Sequence, residues 1–176
     1  MPVNDTLPLE IERRFLICRP SEEMLQSRCN AVYDMEQAYL QAGPGITERV
    51  RCRRQNGRAE YFHTEKTDCT ARTRIEREQK ITEAEYERLL LRRDRQAQVI
   101  CKRRWCLPWE GLVFEIDVYP FWPGLAVMEV ELPQEDTEFS FPDGIRVLRE
   151  VTENRLLSNA ALARHIPPRE ELLRMP

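Results

Sequence analysis

The chain is poor in histidine and shows no excess of charge of one sign. Its 176 residues include 2 histidines, and 27 lysines and arginines stand against 30 aspartates and glutamates, which leaves a net charge of −3. Proteins that coat nucleic acids or lie on membrane surfaces carry a one-signed excess, so we expect neither partner. The six cysteines form no Cys-x-x-Cys pair, and with so few histidines a structural zinc site is poorly supported.

Signals for export and for membrane insertion are also missing. The stretch that precedes the predicted domain is short and polar at residues 1–5. No apolar run in the chain approaches the ~20 residues that span a bilayer. Cysteines packed as reduced thiols, together with the lack of an export signal, predict a cytoplasmic location. The length predicts a single domain over residues 1–176, with a core at about 9–163 and a short, frayed tail at 167–176.

Charge is abundant and regularly arranged. Charged residues make up 32% of the chain, against ~25% in typical globular proteins. Many of them lie two apart in segments that otherwise resemble strands, and residues two apart in a strand share a face. Apolar residues such as Ile11, Ile116 and Val130 lie between them. A closed barrel with a charged lumen would use this pattern, and so would one charged outer sheet face. The barrel is favoured, and it indicates a small, highly charged ligand inside.

The other local patterns predict an α+β fold of about eight strands and three helices. The Asn56-Gly57 pair predicts a hairpin turn, and a second hairpin is expected across residues 108–111. Thr82 and Glu85 form the pattern of a capping box that begins a helix. A last amphipathic helix is predicted from residue 152 through residue 162.

The charged face combines acids and bases in nearly equal number. The acids are Glu10, Glu12, Glu76, Glu78, Glu115, Asp117, Glu129 and Glu131, and the bases are Arg14, Arg51, Arg53, Lys66, Arg74, Lys102 and Arg104. Confined charges must pair or bind ions. Clustered carboxylates favour Mg²⁺ or Mn²⁺, whereas clustered arginines and lysines favour phosphate. A metal-chelated polyphosphate satisfies both.

These residues resemble, in their order, the motifs of the CYTH superfamily, the triphosphate tunnel metalloenzymes. The segment 10–14 resembles the opening Glu-x-Glu-x-Lys motif, and the segment 50–53 resembles a Val-Arg-x-Arg strand. Similar segments follow at residues 37–40, 64–66, 76–78, 102–104, 115–119, 129–132 and 150–159. The resemblance covers about residues 9 to 163.

The resemblance implies a closed antiparallel barrel of eight strands with helices packed outside. It also implies hydrolysis or cyclisation of triphosphates with Mg²⁺ or Mn²⁺ as cofactor. By similarity, the metal ligands would be Glu10, Glu12, Asp117, Glu129 and Glu131. The phosphate-binding residues would be Arg14, Arg51, Arg53, Lys66 and Arg104, with Arg74 and Lys102 added from the charged face. We expect Glu10, Glu12, Arg14 and Lys66 to act in catalysis. Glu76, Glu78 and Glu115 would complete the lining.

The sequence departs from the family pattern at two positions. Arg14 stands where the opening motif has lysine, and arginine does not lose its proton, so it cannot act as a general base. Ala38 stands where the segment 37–40 has a glycine in the family, which should affect packing alone.

The favoured function is metal-assisted hydrolysis of inorganic tripolyphosphate, since the sequence has no evident base or thiamine pocket. Thiamine triphosphatase and class IV adenylate cyclase are alternatives within the family. A polyphosphate- or nucleotide-binding module without activity is an alternative outside enzymes. Trp105, Trp109 and Trp122 are expected to pack as hydrophobic caps, and His63 and His165 as surface or packing residues. The expected partner is a small-molecule triphosphate, and apolar outer faces would allow a homodimer.

Overall fold

One antiparallel sheet makes up most of the protein. The computed structural model describes residues 11–68 and 74–174, and within them the sheet has nine strands. The strands are β1 (Glu12–Cys18), β2 (Ala31–Tyr39), β3 (Ile46–Gln55), β4 (Arg58–Asp68), β5 (Arg74–Ile81), β6 (Ile100–Trp109), β7 (Leu112–Val118), β8 (Leu125–Glu131) and β9 (Val147–Glu150).

Short helices accompany the sheet. They are α1 (Glu22–Arg28), α2 (Glu83–Leu90), α3 (Asn159–Leu162) and α4 (Arg169–Arg174), and a 3-10 turn covers Arg155–Leu157. Among the described residues, none of these helices has the length and apolar character of a bilayer-spanning segment.

The sheet is open, which corrects the predicted closed barrel of eight strands. Its order is β5-β4-β3-β2-β6-β7-β8-β1-β9, and no hydrogen-bonded pairing joins the edge strands β5 and β9 in residues 11–68 and 74–174. The sequence does not predict β9, which has four residues and pairs with β1 with a register shift between Leu16 and Ile17. A strand this short and irregular offers few backbone groups to a further partner.

Both predicted hairpins are present. Asn56 and Gly57 have φ angles of 50° and 77°, the positive values that a two-residue turn between twisted strands requires. The second turn lies at Glu110 and Gly111, with φ of 47° and 80°. Strand β6 therefore continues to Trp109, and the turn is narrower than the predicted range of 108–111.

The outer face of the sheet buries apolar residues beneath α1 and α2, as predicted for helices packed outside. Leu25 of α1 is fully buried in a cluster with Phe114 and Met128. The capping box of α2 is confirmed: the Thr82 hydroxyl accepts a hydrogen bond from the Glu85 backbone, and the Glu85 carboxylate accepts one in return.

The inner face changes from charged to apolar along the strands. On β1, Leu16 follows Arg14 on the same face, and on β6, Ile100 precedes Lys102. Leu16, Ile100 and Val127 of β8 are at most 1% exposed. They belong to the inner apolar cluster, whose main members are Leu16, Tyr39, Ile100, Tyr119, Trp122, Leu125, Val127, Leu157, Leu162 and Leu172. Through Leu162 and Leu172, α3 and α4 pack on inward-facing residues, unlike the helices outside the sheet.

The segment after β9 is not the single amphipathic helix predicted over 152–162. It forms the 3-10 turn and then α3, and each has its own cap. Asn154 and Ser158 have extended backbone angles, and each side chain accepts a hydrogen bond from the turn that follows. A cap residue is non-helical, so Ser158 interrupts what would otherwise be one helix.

Residues 167–174 are packed and do not fray as predicted. Trp122 Nε1 donates a hydrogen bond to the Pro167 carbonyl over 3.0 Å. Leu172 of α4 is fully buried in the inner apolar cluster, and the Arg149 guanidinium donates to the Leu172 carbonyl.

Leu172→Ala should therefore lower the free energy of unfolding by about 2–5 kcal/mol, as expected for a large-to-small change in a core. The matched control is Leu173→Ala, because Leu173 is 41% exposed and surface changes usually stay within about 0.5 kcal/mol. Urea denaturation followed by circular dichroism measures both. Equal effects for the two variants would contradict the packed position of α4.

Candidate functional site

Inward-facing side chains surround a cavity of about 780 Å³. Strands β1 to β8 each contribute to its wall, and residues of the segment 155–160 complete the lining. The structure brings together in this wall the sequence-predicted residues Glu12, Arg14, Arg51, Arg53, Lys66, Glu76, Glu78, Lys102, Arg104, Glu115, Glu129 and Glu131.

Three predicted site residues need separate mention. Asp117 is fully buried behind the wall, where it contacts Lys102 and Arg104. Glu10 lies outside the described residues, and so does the side chain of Arg74, which begins β5.

Asp117 is the centre of a buried ion network. Its carboxylate accepts hydrogen bonds from Lys102 Nζ at 2.5 Å and from Arg104 Nε and Nη2 at 2.7 Å each. Burial alone would raise the pKa of Asp117, but the charges and hydrogen bonds of Arg104 and Lys102 outweigh it and hold the pKa below its usual range. Burial and the charge of Arg104 lower the pKa of Lys102. Arg104 also donates to Glu129 at 2.9 Å and to Glu115.

Carboxylates from β1 and β8 meet at one part of the wall. The antiparallel register places Glu12 opposite Glu131, and Arg14 opposite Glu129. Partial burial and the negative charge of Glu129 raise the pKa of Glu12. Carboxylate oxygens are the ligand type that Mg²⁺ and Mn²⁺ prefer, so the chemistry of these side chains is compatible with such an ion. Among the described residues, no three acidic, histidine or cysteine groups form a ready-made metal cluster.

Arginines form a ladder on the opposite half of the sheet. Arg49, Arg51 and Arg53 alternate along β3 and all line the cavity. Arg51 pairs with Glu78, and Arg53 Nη2 donates to Glu60 over 2.6 Å. Each of the three Nε atoms is buried without a hydrogen-bond partner among the described residues. An unpaired buried donor is costly, so this ladder is suited to an anion.

Aromatic rings hold the outer arginine of the ladder. The Arg53 guanidinium lies 4.7 Å from the Tyr33 ring centroid and 4.8 Å from that of Phe62. Cation–π contacts at this distance are attractive and restrict the guanidinium.

Arg14 connects the cavity to the segment that follows β9. Its guanidinium donates to the Thr152 carbonyl at 3.1 Å and to the Leu157 carbonyl at 3.4 Å, and its side chain is 9% exposed. The arginine that replaces the family lysine therefore anchors the turn that brings Arg155, Ser158 and Asn159 to the cavity wall.

Sequence reasoning missed several residues of the wall. Arg49 could have been found, because Arg49-Val50-Arg51-Cys52-Arg53 alternates without interruption. Thr47 lies two residues before Arg49 on β3, so its side chain is on the same face of the sheet. Ser158 and Asn159 lie in the segment that the family resemblance includes, but no spacing in the sequence indicates that they reach the cavity.

Tryptophans and histidines take the structural positions that were predicted. Trp105 and Trp122 are buried in apolar clusters, and Trp109 lies beneath Arg28 with a centroid distance of 5.4 Å. None of the three lines the cavity. His63 Nε2 hydrogen-bonds Glu48 at 2.8 Å, outside the cavity wall.

Asp117→Asn should lower the free energy of unfolding by about 3–5 kcal/mol, because it leaves Lys102 and Arg104 with poorly compensated buried charges. The control is Asp34→Asn on β2, which pairs with the other side of β6. Asp34 pairs with Arg103 over 2.7 Å, but both side chains are at least half exposed, and such pairs contribute about 0–1 kcal/mol.

The pH dependence of the same variants is a second readout. The folded-state pKa of Asp117 lies below the unfolded value, so its contribution is complete above the ordinary carboxyl pKa and is lost as the pH falls through the depressed one. Unfolding curves between pH 7 and pH 2 should show a smaller acid-induced loss for Asp117→Asn than for the wild type. An unchanged pH profile would contradict the ion network.

Solved structures of other proteins resemble the fold of this chain. No protein-family model and no curated protein sequence matches the chain. Among solved structures, the inorganic triphosphatase NE1496 is 29% identical, with a TM-score of 0.59 over 90% of this chain and 96% of that chain. A second structure of NE1496 is 30% identical, with a TM-score of 0.58 over 90% and 99%.

A more distant structure shares the fold. The PH1819 protein from Pyrococcus horikoshii OT3 is 23% identical, with a TM-score of 0.53 over 72% of this chain and 80% of that chain. The sequence of this chain is 30% identical to that of NE1496 over nearly the full length of NE1496. The sheet also carries the expected charged motifs, so the similarity is sufficient to assign the family. The chain belongs to the CYTH superfamily.

Proposed function

We propose that this protein is a metal-dependent triphosphatase whose substrate is inorganic tripolyphosphate, bound in the cavity. The observation that carries the proposal is that one cavity holds both an arginine ladder, with three buried Nε donors, and a separate group of carboxylates. The arginines suit phosphoryl oxygens, and the carboxylates suit a divalent cation. The similarity to NE1496, an inorganic triphosphatase, supports the same activity.

The basic residues of the wall would bind and orient the phosphate chain. Arg51, Arg53 and Lys66 come from the neighbouring strands β3 and β4, and Arg104 comes from β6. In phosphoryl transfer the protein acts mainly by positioning and by stabilising charge on the oxygens. Their guanidinium and ammonium groups would therefore neutralise the charge that develops on the leaving phosphate.

Glu12, Glu129 and Glu131 would hold the Mg²⁺ or Mn²⁺, together with Glu10 outside the described residues. When bound, such an ion neutralises phosphoryl oxygens and lowers the pKa of a bound water. Asp117 was also predicted to bind metal. Both of its oxygens accept hydrogen bonds from Lys102 and Arg104, so we assign it to holding these two cations in position.

Arg14 retains the charge of the family lysine without its capacity for proton transfer. The proton of the attacking water must therefore go to a carboxylate or to the substrate.

An organic substrate is less well supported. The three tryptophans lie outside the cavity wall, and the Tyr33 ring is in contact with Arg53. Thiamine triphosphate and ATP would both need an aromatic or polar pocket for their organic part. Thiamine triphosphatase, adenylate cyclase and a non-catalytic binding module remain the alternatives that the assay must separate. A cytoplasmic location and a homodimer stay predictions from the sequence.

Phosphate release from tripolyphosphate should require Mg²⁺ or Mn²⁺ and should stop on addition of EDTA. Parallel assays with ATP and thiamine triphosphate should show slower release. Cyclic nucleotide and pyrophosphate from ATP would instead show a cyclase, and tight binding without turnover at any divalent metal would show a binding module.

Glu12→Gln and Glu129→Gln should each lower kcat/KM for tripolyphosphate by about 10²-fold or more, the loss expected when a charge that stabilises the transition state is removed. Glu36→Gln is the matched control, because Glu36 lies on the outer face of β2 and pairs with Arg54 at 3.1 Å. Full activity in Glu12→Gln would contradict the assigned carboxylate group.

A further inference from the structure

Arg49 belongs to the β3 ladder, but it lies outside the family motif at residues 50–53 and has no role of its own in the proposed binding of the phosphate chain. It precedes Arg51 by two residues on β3, so it shares the inward face, and its side chain is 13% exposed. It lies at the apolar end of the ladder, beside Tyr39. Tyr39 is a member of the inner apolar cluster.

The ion pairs of Arg49 are longer than those of Arg51 and Arg53. Arg49 Nη2 lies 3.6 Å from Glu76 and 4.0 Å from Glu78, too far for strong charge-assisted hydrogen bonds. Both carboxylates have closer partners, because Glu76 contacts Lys66 and Glu78 contacts Arg51.

The Thr64 hydroxyl is a further partner of Glu78, over 2.7 Å. In this part of the wall, two carboxylates (Glu76 and Glu78) therefore face three cations (Arg49, Arg51 and Lys66). The Nε atom of Arg49 is also buried without a hydrogen-bond partner among the described residues. Guanidinium groups stay protonated. A buried excess of positive charge is costly without an anion, so this end of the ladder is built for an anionic group.

We propose that Arg49 is a third phosphate-binding arginine, which holds the terminal phosphoryl group of the chain at the apolar end of the cavity. This inference rests on the proposed function and names its substrate class: a linear chain of three phosphoryl groups, one for each arginine of the β3 ladder. Arg49 is the last cation of the ladder, because the next inward-facing residue on β3 is Thr47, which also lines the cavity and is uncharged.

The proposal distinguishes tripolyphosphate from pyrophosphate. Tripolyphosphate occupies all three arginines, so it loses a contact when Arg49 is replaced. Pyrophosphate has two phosphoryl groups, and we place them on Arg51 and Arg53 because the charge of Arg104 also acts at Arg51. Arg49 is thus a specificity-determining residue for chain length.

The test is calorimetric binding of tripolyphosphate and of pyrophosphate to the full chain without divalent metal, so that turnover does not interfere. Arg49→Gln should weaken tripolyphosphate binding by about tenfold to a hundredfold, the effect of one charge-assisted hydrogen bond, and pyrophosphate binding by no more than about threefold. The matched control is Arg54→Gln, because Arg54 lies on the same strand, points to the outer face and is 47% exposed. It should bind both ligands like the wild type.

Equal losses for the two ligands, or no loss for either, would overturn the role of Arg49. If Arg49→Gln does not fold, Arg49→Lys retains the charge and removes the planar fork. That variant should lose tripolyphosphate affinity about threefold to tenfold and keep its affinity for pyrophosphate, and wild-type binding of both ligands would overturn the proposal.

Hydrolysis assays on the same proteins separate this inference from the proposed function. A wild type that binds tripolyphosphate without hydrolysing it would end the triphosphatase proposal and leave the binding comparison valid. A wild type that hydrolyses tripolyphosphate, with unchanged binding in Arg49→Gln, would end the Arg49 proposal alone.

Discussion

Ionisable side chains cannot be brought together in a cavity unless each finds an opposite charge, and the interior of this protein follows from that constraint. Unpaired buried ions cost several kcal/mol each. The network around Asp117 meets the constraint with hydrogen bonds in fully buried surroundings. The ladder on β3 meets it only in part, through carboxylates of β4 and β5 such as Glu60 and Glu78, which are about one-third exposed.

The two networks therefore have different roles. Asp117, Lys102 and Arg104 form a fixed group, because a change of partner there would expose buried charge. The ladder pairs can exchange partners, since their carboxylates reach solvent and belong to an edge region of the sheet. Under the proposed function, a phosphate chain would replace Glu78 and Glu60 on the arginines, and the released carboxylates would be hydrated. The open sheet makes this exchange compatible with the fold.

Much of this arrangement could be predicted from the sequence, because a strand fixes the relation between residues two apart. The same-face pairs at 51/53, 102/104 and 129/131 all line the cavity as predicted, and the Asn56-Gly57 turn and the α2 capping box have the expected geometry. Local chemistry determines each of these features, so no knowledge of the partner strand is needed.

The features that could not be predicted depend on contacts between distant segments. The pairing of Glu12 with Glu131 follows from the register of β1 and β8, which no local spacing fixes. Strand β9 is too short to give a pattern, and without it the edge of the sheet could not be located. The leucines at 156, 157 and 162 suggest one helix, whereas Leu157 and Leu162 are buried and Leu156 is 64% exposed, because the caps redirect the chain.

The most direct test of the account is a crystal structure with tripolyphosphate and Mn²⁺, in which anomalous scattering locates the metal. The account predicts an anomalous peak beside Glu12 and Glu129, and phosphoryl groups on the β3 arginines with Glu78 moved away from Arg51. A ligand bound outside the cavity, or a cavity whose ladder salt bridges are unchanged at saturating tripolyphosphate, would contradict it.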